Sequence, residues 1–554
     1  MNPEPTRIGR KPFYRSFRLW LAVAGGLCLA FSFQKFSIAA LAWLGPGLIL
    51  LSGIGTRGWD SFRLGYAAGL AQFMVSLYWL LLIPFPAGAI SGWLALSAYL
   101  AIYPGIWVWL SSLIFPQFID PELSTQERLS KFCGVSWSRR ALWLVGVAMT
   151  WVSLEMVMAR LLTGFPWNLA GVSQLPVLPL VQISSFTGVY GVSFVVVYGS
   201  CALMTAGIFL GRFPAQRFLW MREVILALLL VAIVAAYGMR KILNFRKPEQ
   251  TVKLALVQPS IPQVMIWNEK ESTNRFNQLI DLSEKALAEK PKVLIWPEAA
   301  VPNMLRHNPE TAGELVRLVR DHGVWAIVGT DDAEPKSQDE RENRNWIFYN
   351  SSFAISPRGE LAGDYKKRQL VMFGEYVPLV QYFPFMKFLT PIGDVGFTPG
   401  TKAVPFHLSD LDIRTSVMIC FEDIFPHLAR EYVTEDTDFL LNLTNNGWFG
   451  ESAAQWQHAM NGAFRAIELG VPFVRCANNG LTCWIDSLGV IHNERFADGS
   501  PDIYKAGYKI VEVPVLAEGK HELTFYSKNG DLFGYGCVAF SALFLLTALF
   551  RKRA

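Results

Sequence analysis

Cys420 closes the run Thr415-Ser-Val-Met-Ile-Cys-Phe-Glu-Asp423, in which apolar and β-branched residues lead a thiol directly to two acids and the start of a helix. Glu298 follows the strand-like Lys292-Val-Leu-Ile-Trp-Pro297, and Lys367 follows Leu361-Ala-Gly-Asp-Tyr-Lys366. A carboxylate, an ammonium and a thiol, each at a strand end, suit acyl transfer through a thioester. A thiol attacks an acyl carbonyl only as thiolate, so it needs a base, and a carboxylate in a partly desolvated site can be tuned to take that proton. Glu298 is the candidate base. The tetrahedral intermediate carries an oxyanion, for which a fixed ammonium and a backbone N–H are suitable donors. Lys367 and the N–H of Phe421 are the candidates. Glu375, in Phe373-Gly-Glu-Tyr-Val-Pro378, and Glu422, two residues past the thiol, are supporting acids that would orient the lysine or share its charge. Taken singly, each has a plainer reading. A cysteine at a strand end is usually buried and inert, a glutamate after Trp-Pro usually caps a helix, and a lysine within Lys366-Lys367-Arg368 is usually solvated.

The elements that must position these residues alternate between strand and helix patterns. Residues 252–257, 293–296 and 324–328 read as strands, with helical patterns over 269–289 and 309–322 between them. Further strands are expected over 347–355, 414–419, 439–443, 473–476, 482–486 and 509–513, and a helix over 454–469. The alternation is that of an α/β domain, and nearly three hundred residues are enough to bury a large core.

The rest of the chain belongs to a membrane. Of 554 residues, 52% are hydrophobic and only 17% charged, too apolar a balance for a wholly soluble protein. Apolar stretches cover 17–33, 38–53, 65–84, 87–115, 141–162, 180–210, 224–237 and 532–550, each a candidate span. The first is preceded by basic residues as a signal peptide is, but the spans that follow favour an uncleaved helix. Arg57 and Arg63, then Arg128, Lys131, Arg139 and Arg140, then Arg212, Arg217 and Arg222, then Arg551, Lys552 and Arg553 mark alternate loops as cytoplasmic. The expected organisation is a transmembrane domain of about seven helices over 1–238, a catalytic domain over 239–531 on the periplasmic side, and a last helix with a cytoplasmic tail over 532–554. Both termini are then cytoplasmic.

The net charge of +5 follows from these loops and gives no reason to invoke nucleic acid. The seven cysteines do not form a disulfide framework; Cys476 and Cys483 are spaced to lie on adjacent strands without a bond, the alternative being a pair formed in an oxidising compartment. With no Cys-x-x-Cys, His-Glu-x-x-His or Walker loop, no metal or nucleotide cofactor is expected.

Trp296-Pro-Glu298, Tyr365-Lys-Lys-Arg-Gln-Leu-Val-Met-Phe-Gly-Glu375 and Ile419-Cys-Phe-Glu422 resemble the three signature blocks of the nitrilase superfamily. Thr163-Gly-Phe-Pro-Trp167, Gln258-Pro-Ser-Ile-Pro-Gln263 with Trp267, Trp448-Phe-Gly450, Gln455-Trp-Gln-His458 and Arg465-Ala-Ile-Glu-Leu-Gly470 extend the likeness to the apolipoprotein N-acyltransferase branch, over nearly the whole chain. The resemblance implies a multi-span helical membrane domain carrying an αββα sandwich with a Glu-Lys-Cys catalytic set: Glu298 as base, Lys367 as oxyanion stabiliser and Cys420 as nucleophile. The family's spacing from lysine to Phe-Gly-Glu selects Lys367, with Lys366 as the second candidate. It also implies the partners. Cys420 would take an acyl chain from a phospholipid, often phosphatidylethanolamine, and pass it to the N-terminal diacylglyceryl-cysteine of an apolipoprotein at the outer face of a bacterial inner membrane.

A lipid acyl chain is best delivered from the bilayer, so apolar and aromatic residues should line the mouth of the site. Met372, Phe373, Tyr376, Phe383, Phe385 and Phe388 supply such a set, and Pro378 closes the same segment. Trp267 and Trp448 are placed near substrate by the resemblance, and Asn350 is read as a hydrogen-bonding residue of the site or of a strand edge. Three positions depart from the family pattern: Met372 where proline is common, Phe421 where tyrosine is common, and Asn446 where aspartate is common. The alternatives are a membrane-anchored amidase that uses water as acceptor and a non-enzymatic transporter or receptor. Few ionisable groups beyond Glu155 and Arg160 lie in the spans, which argues against a transport path.

Overall fold

The computed structural model describes residues 16–114, 125–213, 220–246, 249–266, 268–336, 346–380, 396–516 and 522–551, with the single positions 218, 382, 383, 386 and 390. The apolar stretches form the helices Phe17–Phe31, Gly45–Gly53, Trp59–Ser76, Pro86–Leu113, Trp137–Met158, Val189–Arg212 and Met221–Leu243, and Leu532–Arg551 near the C-terminal end. Among the described residues, Pro86–Leu113, Trp137–Met158, Val189–Arg212 and Met221–Leu243 are the four long and apolar enough to cross a membrane.

Two stretches break where continuous helix was expected. The run 65–84 leaves its helix at Ser76 and continues as the 3₁₀ turn Tyr78–Leu82, ahead of Pro84 and Pro86, which cannot continue a helix without losing a hydrogen bond. The run 180–210 begins as two single turns, Leu178–Val181 and Ser184–Thr187, and becomes regular only after Gly188, whose φ of +66° redirects the chain. Arg140, read from the sequence as a loop cation, is buried and pairs with Glu223 at 2.7 Å across two helices. Small residues let the helices close on one another: a Cβ on Gly26 would meet the Ala68 carbonyl, and one on Gly65 the Pro104 carbonyl.

The strands that follow the first seven of these helices are β1 (Thr251–Gln258), β2 (Val293–Ile295), β3 (Trp325–Pro335), β4 (Trp346–Ile355), β5 (Leu361–Lys366), β6 (Pro405–Leu408), β7 (Ile413–Ile419), β8 (Phe439–Thr444), β9 (Phe473–Ala477), β10 (Cys483–Ile485), β11 (Ile491–His492) and β12 (Gly507–Pro514). They build two six-stranded sheets, ordered β12-β1-β2-β3-β4-β5 and β11-β10-β9-β8-β7-β6. Each sheet has a parallel centre, β1-β2-β3 in one and β7-β8-β9 in the other, flanked by antiparallel strands. The short edge strands β6 and β11 were not read from the sequence. Strand β3 also runs on to Pro335 through polar residues, paired with β4 from Ala326↔Ile355 to Pro335↔Trp346.

Alternation along the strands assigns the layers. Ala255, Leu294, Ala326 and Val328 pack beneath the helices Ser272–Leu287 and Pro309–His322, with Phe276, Leu279, Leu315 and Leu318. Their neighbours Leu254, Leu256, Val293, Ile295 and Ile327 face inward and share a core with Ile419, Leu443 and Cys476 of the second sheet. The Cys476 thiol lies 3.4 Å from the carbonyls of both Val257 and Ile295, so the two sheets touch directly. The helix Ala454–Leu469 packs on the second sheet and also meets the membrane part. This is the αββα order expected.

That helix is the foot of the domain. The indole N–H groups of Trp79 and Trp167 donate to Gln457 Oε1 at 3.1 and 2.8 Å, and Gln457 Nε2 donates to the Ser76 carbonyl at 3.2 Å. The loop Gly164-Phe-Pro-Trp-Asn168 therefore packs under the sandwich, with the Trp167 ring 5.3 Å from that of His458. Gly26→Val should push the helices Phe17–Phe31 and Trp59–Ser76 apart at a cost of about 1–3 kcal/mol, read as a lower unfolding midpoint of the detergent-solubilised protein.

Candidate active site

Glu298, Lys367 and Cys420 follow β2, β5 and β7, and all three strand ends open on the same side of the sandwich. Glu298 is held by the turn after β2, which presses onto β3 at Gly329. A Cβ there would meet the Pro297 carbonyl and lie 2.7 Å from Glu298 Cα, so glycine is what the close approach allows. The backbone N–H of Asn445, from the second sheet, donates to Glu298 Oε2 at 2.8 Å.

Lys367 is 1% exposed, and its ammonium lies 3.2 Å from Glu298 Oε1 and 2.9 Å from Glu375 Oε1. Asn350 Nδ2 bridges the same two oxygens at 2.8 Å each, and the Val371 N–H donates to Glu375 Oε2 at 2.8 Å. Burial acts to lower the lysine pKa, but Glu298 and Glu375 outweigh it and hold the ammonium well above its ordinary value. Lys366 points the other way, pairing with Glu334 at 2.6 Å and lying over the Tyr349 ring.

Cys420 sits at the strand-to-turn junction with φ +52°, opening the 3₁₀ turn Cys420–Ile424. A non-glycine residue in the left-handed region is strained, and the arrangement is that of a nucleophile elbow that presents a side chain at a sheet edge. Asn442 Nδ2 donates to the Cys420 carbonyl at 2.7 Å and holds the elbow from β8. Enclosure by the protein and then Glu298 push the thiol up to about 12, while Lys367 and the Thr444 hydroxyl act the other way. The resting group is a neutral thiol. Phe421 packs edge-on against Phe425 at 5.1 Å, and its N–H is among the first of the turn, which have no partner within it.

Glu422, expected as a supporting acid, bonds the backbone on both sides of the site. Its carboxylate accepts from the N–H groups of Arg368 at 2.7 Å, Gln369 at 3.0 Å and Ile419 at 2.6 Å, and from the Tyr365 hydroxyl at 2.8 Å. It ties the segment after Lys367 to the elbow and thereby fixes the separation of ammonium and thiol. Below the elbow, Asp423 binds His458 Nε2 at 2.7 Å and pairs with Arg475, while Asn446 lies 3.1 Å from His458 Nδ1.

Met372, Phe373, Tyr376 and Pro378 are half-buried around the buried Glu375, in a loop closed by a Phe373 N–H to Tyr376 carbonyl bond of 2.8 Å. Phe383 is exposed, and Trp448 is half-buried in the turn Asn446–Phe449. Trp267, Phe385 and Phe388 lie outside the described residues. Sequence reasoning missed Asn442 and the Asn445 N–H. A polar residue inside the apolar run Phe439-Leu-Leu-Asn-Leu443 was the available signal, because a buried amide is tolerated only when hydrogen-bonded.

The arrangement can hold a charged ammonium and a neutral thiol in one desolvated site, with carboxylates to accept a proton. Lys367→Met, which leaves two buried carboxylates without their cation, should cost about 3–5 kcal/mol, and adding Glu375→Gln should recover part of it in thermal unfolding. Because the folded lysine value is raised, its contribution is complete below the ordinary lysine value and is lost only as pH rises through the raised one. Alkylation by iodoacetamide, read on the Cys420 peptide, should be slower than for a free thiol and should still be climbing above about pH 9, where a free thiol with a pKa of about 8.5 levels off.

A family model described as apolipoprotein N-acyltransferase N-terminal domain matches residues 25–202, and one described as carbon-nitrogen hydrolase matches residues 253–500. The apolipoprotein N-acyltransferase of Rickettsia typhi is 29% identical over 433 residues, 77% of this chain and 79% of that protein. Among solved structures, a mutant of a Nesterenkonia amidase from the nitrilase superfamily superposes with a TM-score of 0.35 at 15% identity, covering 49% of this chain and 94% of the amidase. The apolipoprotein N-acyltransferase of Geobacter metallireducens is 34% identical over 546 residues, 96% of this chain and 95% of its own length. With that identity sustained from one end to the other, the chain belongs to the apolipoprotein N-acyltransferase family.

Proposed function

We propose that this protein transfers a fatty acyl chain from a phospholipid, through a thioester on Cys420, to the α-amino group of the N-terminal diacylglyceryl-cysteine of an apolipoprotein. The observation that carries the reading is the buried Lys367 ammonium between Glu298 and Glu375, beside a thiol whose charge state depends on both Glu298 and Lys367.

Glu298 takes the thiol proton as the sulfur attacks the ester carbonyl. The developing oxyanion is held by the Lys367 ammonium and the Phe421 N–H, groups already in place in a site with little water. The C–O bond then breaks, and the proton on Glu298 passes to the leaving alkoxide of the lysophospholipid. In the second half-reaction the neutral amine attacks the thioester, the C–S bond breaks with its electrons returning to sulfur, an amide forms, and the amine proton passes by way of Glu298 to the Cys420 thiolate. Glu375 and Asn350 hold the ammonium in position, and Glu422 holds the elbow against the segment after Lys367. Met372, Phe373, Tyr376, Pro378 and Trp448 form the apolar mouth, the resemblance adds Trp267 to the substrate-binding set, and phosphatidylethanolamine is the proposed donor.

The same reading places the catalytic domain, residues 239–531, at the periplasmic face of a bacterial inner membrane, between a transmembrane domain over 1–238 and a last helix and tail over 532–554. Support comes from the basic residues of alternate loops, which favour the cytoplasmic side for both termini.

Intact-mass spectrometry tests the chemistry. After incubation with phosphatidylethanolamine in detergent, the protein should gain one fatty-acyl mass and Cys420→Ala none, and a diacylglyceryl-peptide with a free amine should remove the adduct. Loss of the adduct to water at an equal rate would identify an amidase instead, and no adduct on folded protein would reject the thioester.

A further inference from the structure

One carboxyl at this site has no part in the steps above. Asp331 lies on β3, two residues beyond Gly329 and directly opposite Asn350 on β4. Side chains two apart on a strand share a face, and so do directly paired residues of an antiparallel ladder. Gly329 faces the Glu298 segment and Asn350 faces Glu298 and Glu375, so Asp331 enters the same space between the sheets. Its neighbour Asp332 points to the opposite face, where it binds Arg306 at 2.9 Å.

The charges around Asp331 are Glu298, Glu375, Lys367 and, from the helix Ser272–Leu287, Arg275. With Asp331 ionised, three carboxylates face two cations, so its charged form calls for one more positive charge, a proton or a bound ammonium. Beside it stands an unsatisfied acceptor: Asn350 is 4% exposed, its Nδ2 serves both glutamates, and its Oδ1 has no hydrogen-bond partner. An acceptor oxygen without a donor next to an excess carboxylate is the complement of a primary ammonium.

We infer that Asp331, with Asn350 Oδ1, receives the α-ammonium of the acceptor and takes its first proton, so that the amine reaches the Cys420 thioester as a neutral nucleophile. The inference rests on the acyl-transfer reading above. In the step, an N–H bond of the ammonium breaks and its proton moves to the Asp331 carboxylate. The freed nitrogen pair attacks the thioester carbonyl, the C–S bond electrons leave with sulfur, and the second amine proton goes to Glu298 and from there to the Cys420 thiolate. Asp331 returns its proton to solvent. Proton affinities suit the exchange: burial, then Glu298 and Glu375, push Asp331 up to about 7, close to the value of about 7.7–8.0 for an α-ammonium, which is where general-base transfer is most effective.

The two half-reactions separate the tests. Full-length protein in detergent is first loaded with phosphatidylethanolamine and the adduct on Cys420 weighed, then mixed with the diacylglyceryl-peptide in single turnover between pH 6 and 9.5. Asp331→Asn should acquire the adduct at the native rate but pass it to the peptide about 10²-fold more slowly near neutral pH, recovering as rising pH supplies free amine. Hydroxylamine, already neutral at pH 7, should strip the acyl group from both proteins equally. Equal transfer to the peptide at neutral pH would overturn the inference, as would slowed loading or equally slowed hydroxylamine cleavage, either of which marks a structural role. Absence of any adduct on the native protein would instead reject the thioester reading itself. Asp331→Ser provides the same comparison should the asparagine variant not fold.

Discussion

A lysine that is 1% exposed and still charged is the constraint around which the catalytic domain is organised. An ammonium leaves water only where opposite charge and hydrogen bonds replace its hydration. Here Glu298 and Glu375 supply the charge, and each glutamate is itself anchored by a backbone N–H, from Asn445 and Val371 respectively. Those anchors belong to different parts of the domain: the loop after β8 in one sheet and the loop after β5 in the other. A single buried cation thus ties both sheets and three loops into one geometry, and Asn350 locks the two carboxylate oxygens at a common point.

The Cys420 thiol is placed by a second device that opposes local preference. Cys420 holds φ +52°, a conformation that persists only when its surroundings over-determine it. Asn442 on one side and Glu422 on the other do so, the first through the Cys420 carbonyl and the second through the Ile419 N–H. Glu422 also gathers the N–H groups of Arg368 and Gln369, so strain at the thiol and placement of the lysine share one buried carboxylate.

Much of this was legible in the chain itself. Apolar runs marked the central strands because parallel strands buried on both faces read as continuous hydrophobic stretches, and β2, β7, β8 and β9 lie close to where those runs lie. Legibility failed where strands enter the site. Beyond Val328, β3 is Gly-Thr-Asp-Asp, with Asp331 beside Glu298 and Glu375 on one face and Asp332 on Arg306 on the other, and nothing in a hydrophobic pattern marks that as strand. The edge strands β6 and β11 are too short to carry a period. Of the site, Glu298, Lys367 and Cys420 were visible as residue types at strand ends, and resemblance made them a set. The contributions of Asn445 and Val371 are backbone donors, which side-chain identity does not record, and the break before Val189 depends on a glycine whose neighbour, Tyr526, is more than three hundred residues away.

The helix Ala454–Leu469 places adjacent residues at opposite tasks: His458 supports Asp423 below the thiol, while Gln457 is gripped by Trp79 and Trp167 of the membrane part. The helix thus joins the support beneath the thiol to the membrane part within a single turn. A phospholipid donor and a lipid-bearing acceptor reach a site fixed to the membrane part by lateral diffusion, so their encounter is governed by mole fraction in the membrane plane rather than by any bulk concentration, and diluting the surface with inert lipid has the effect that diluting the solution has on a soluble enzyme.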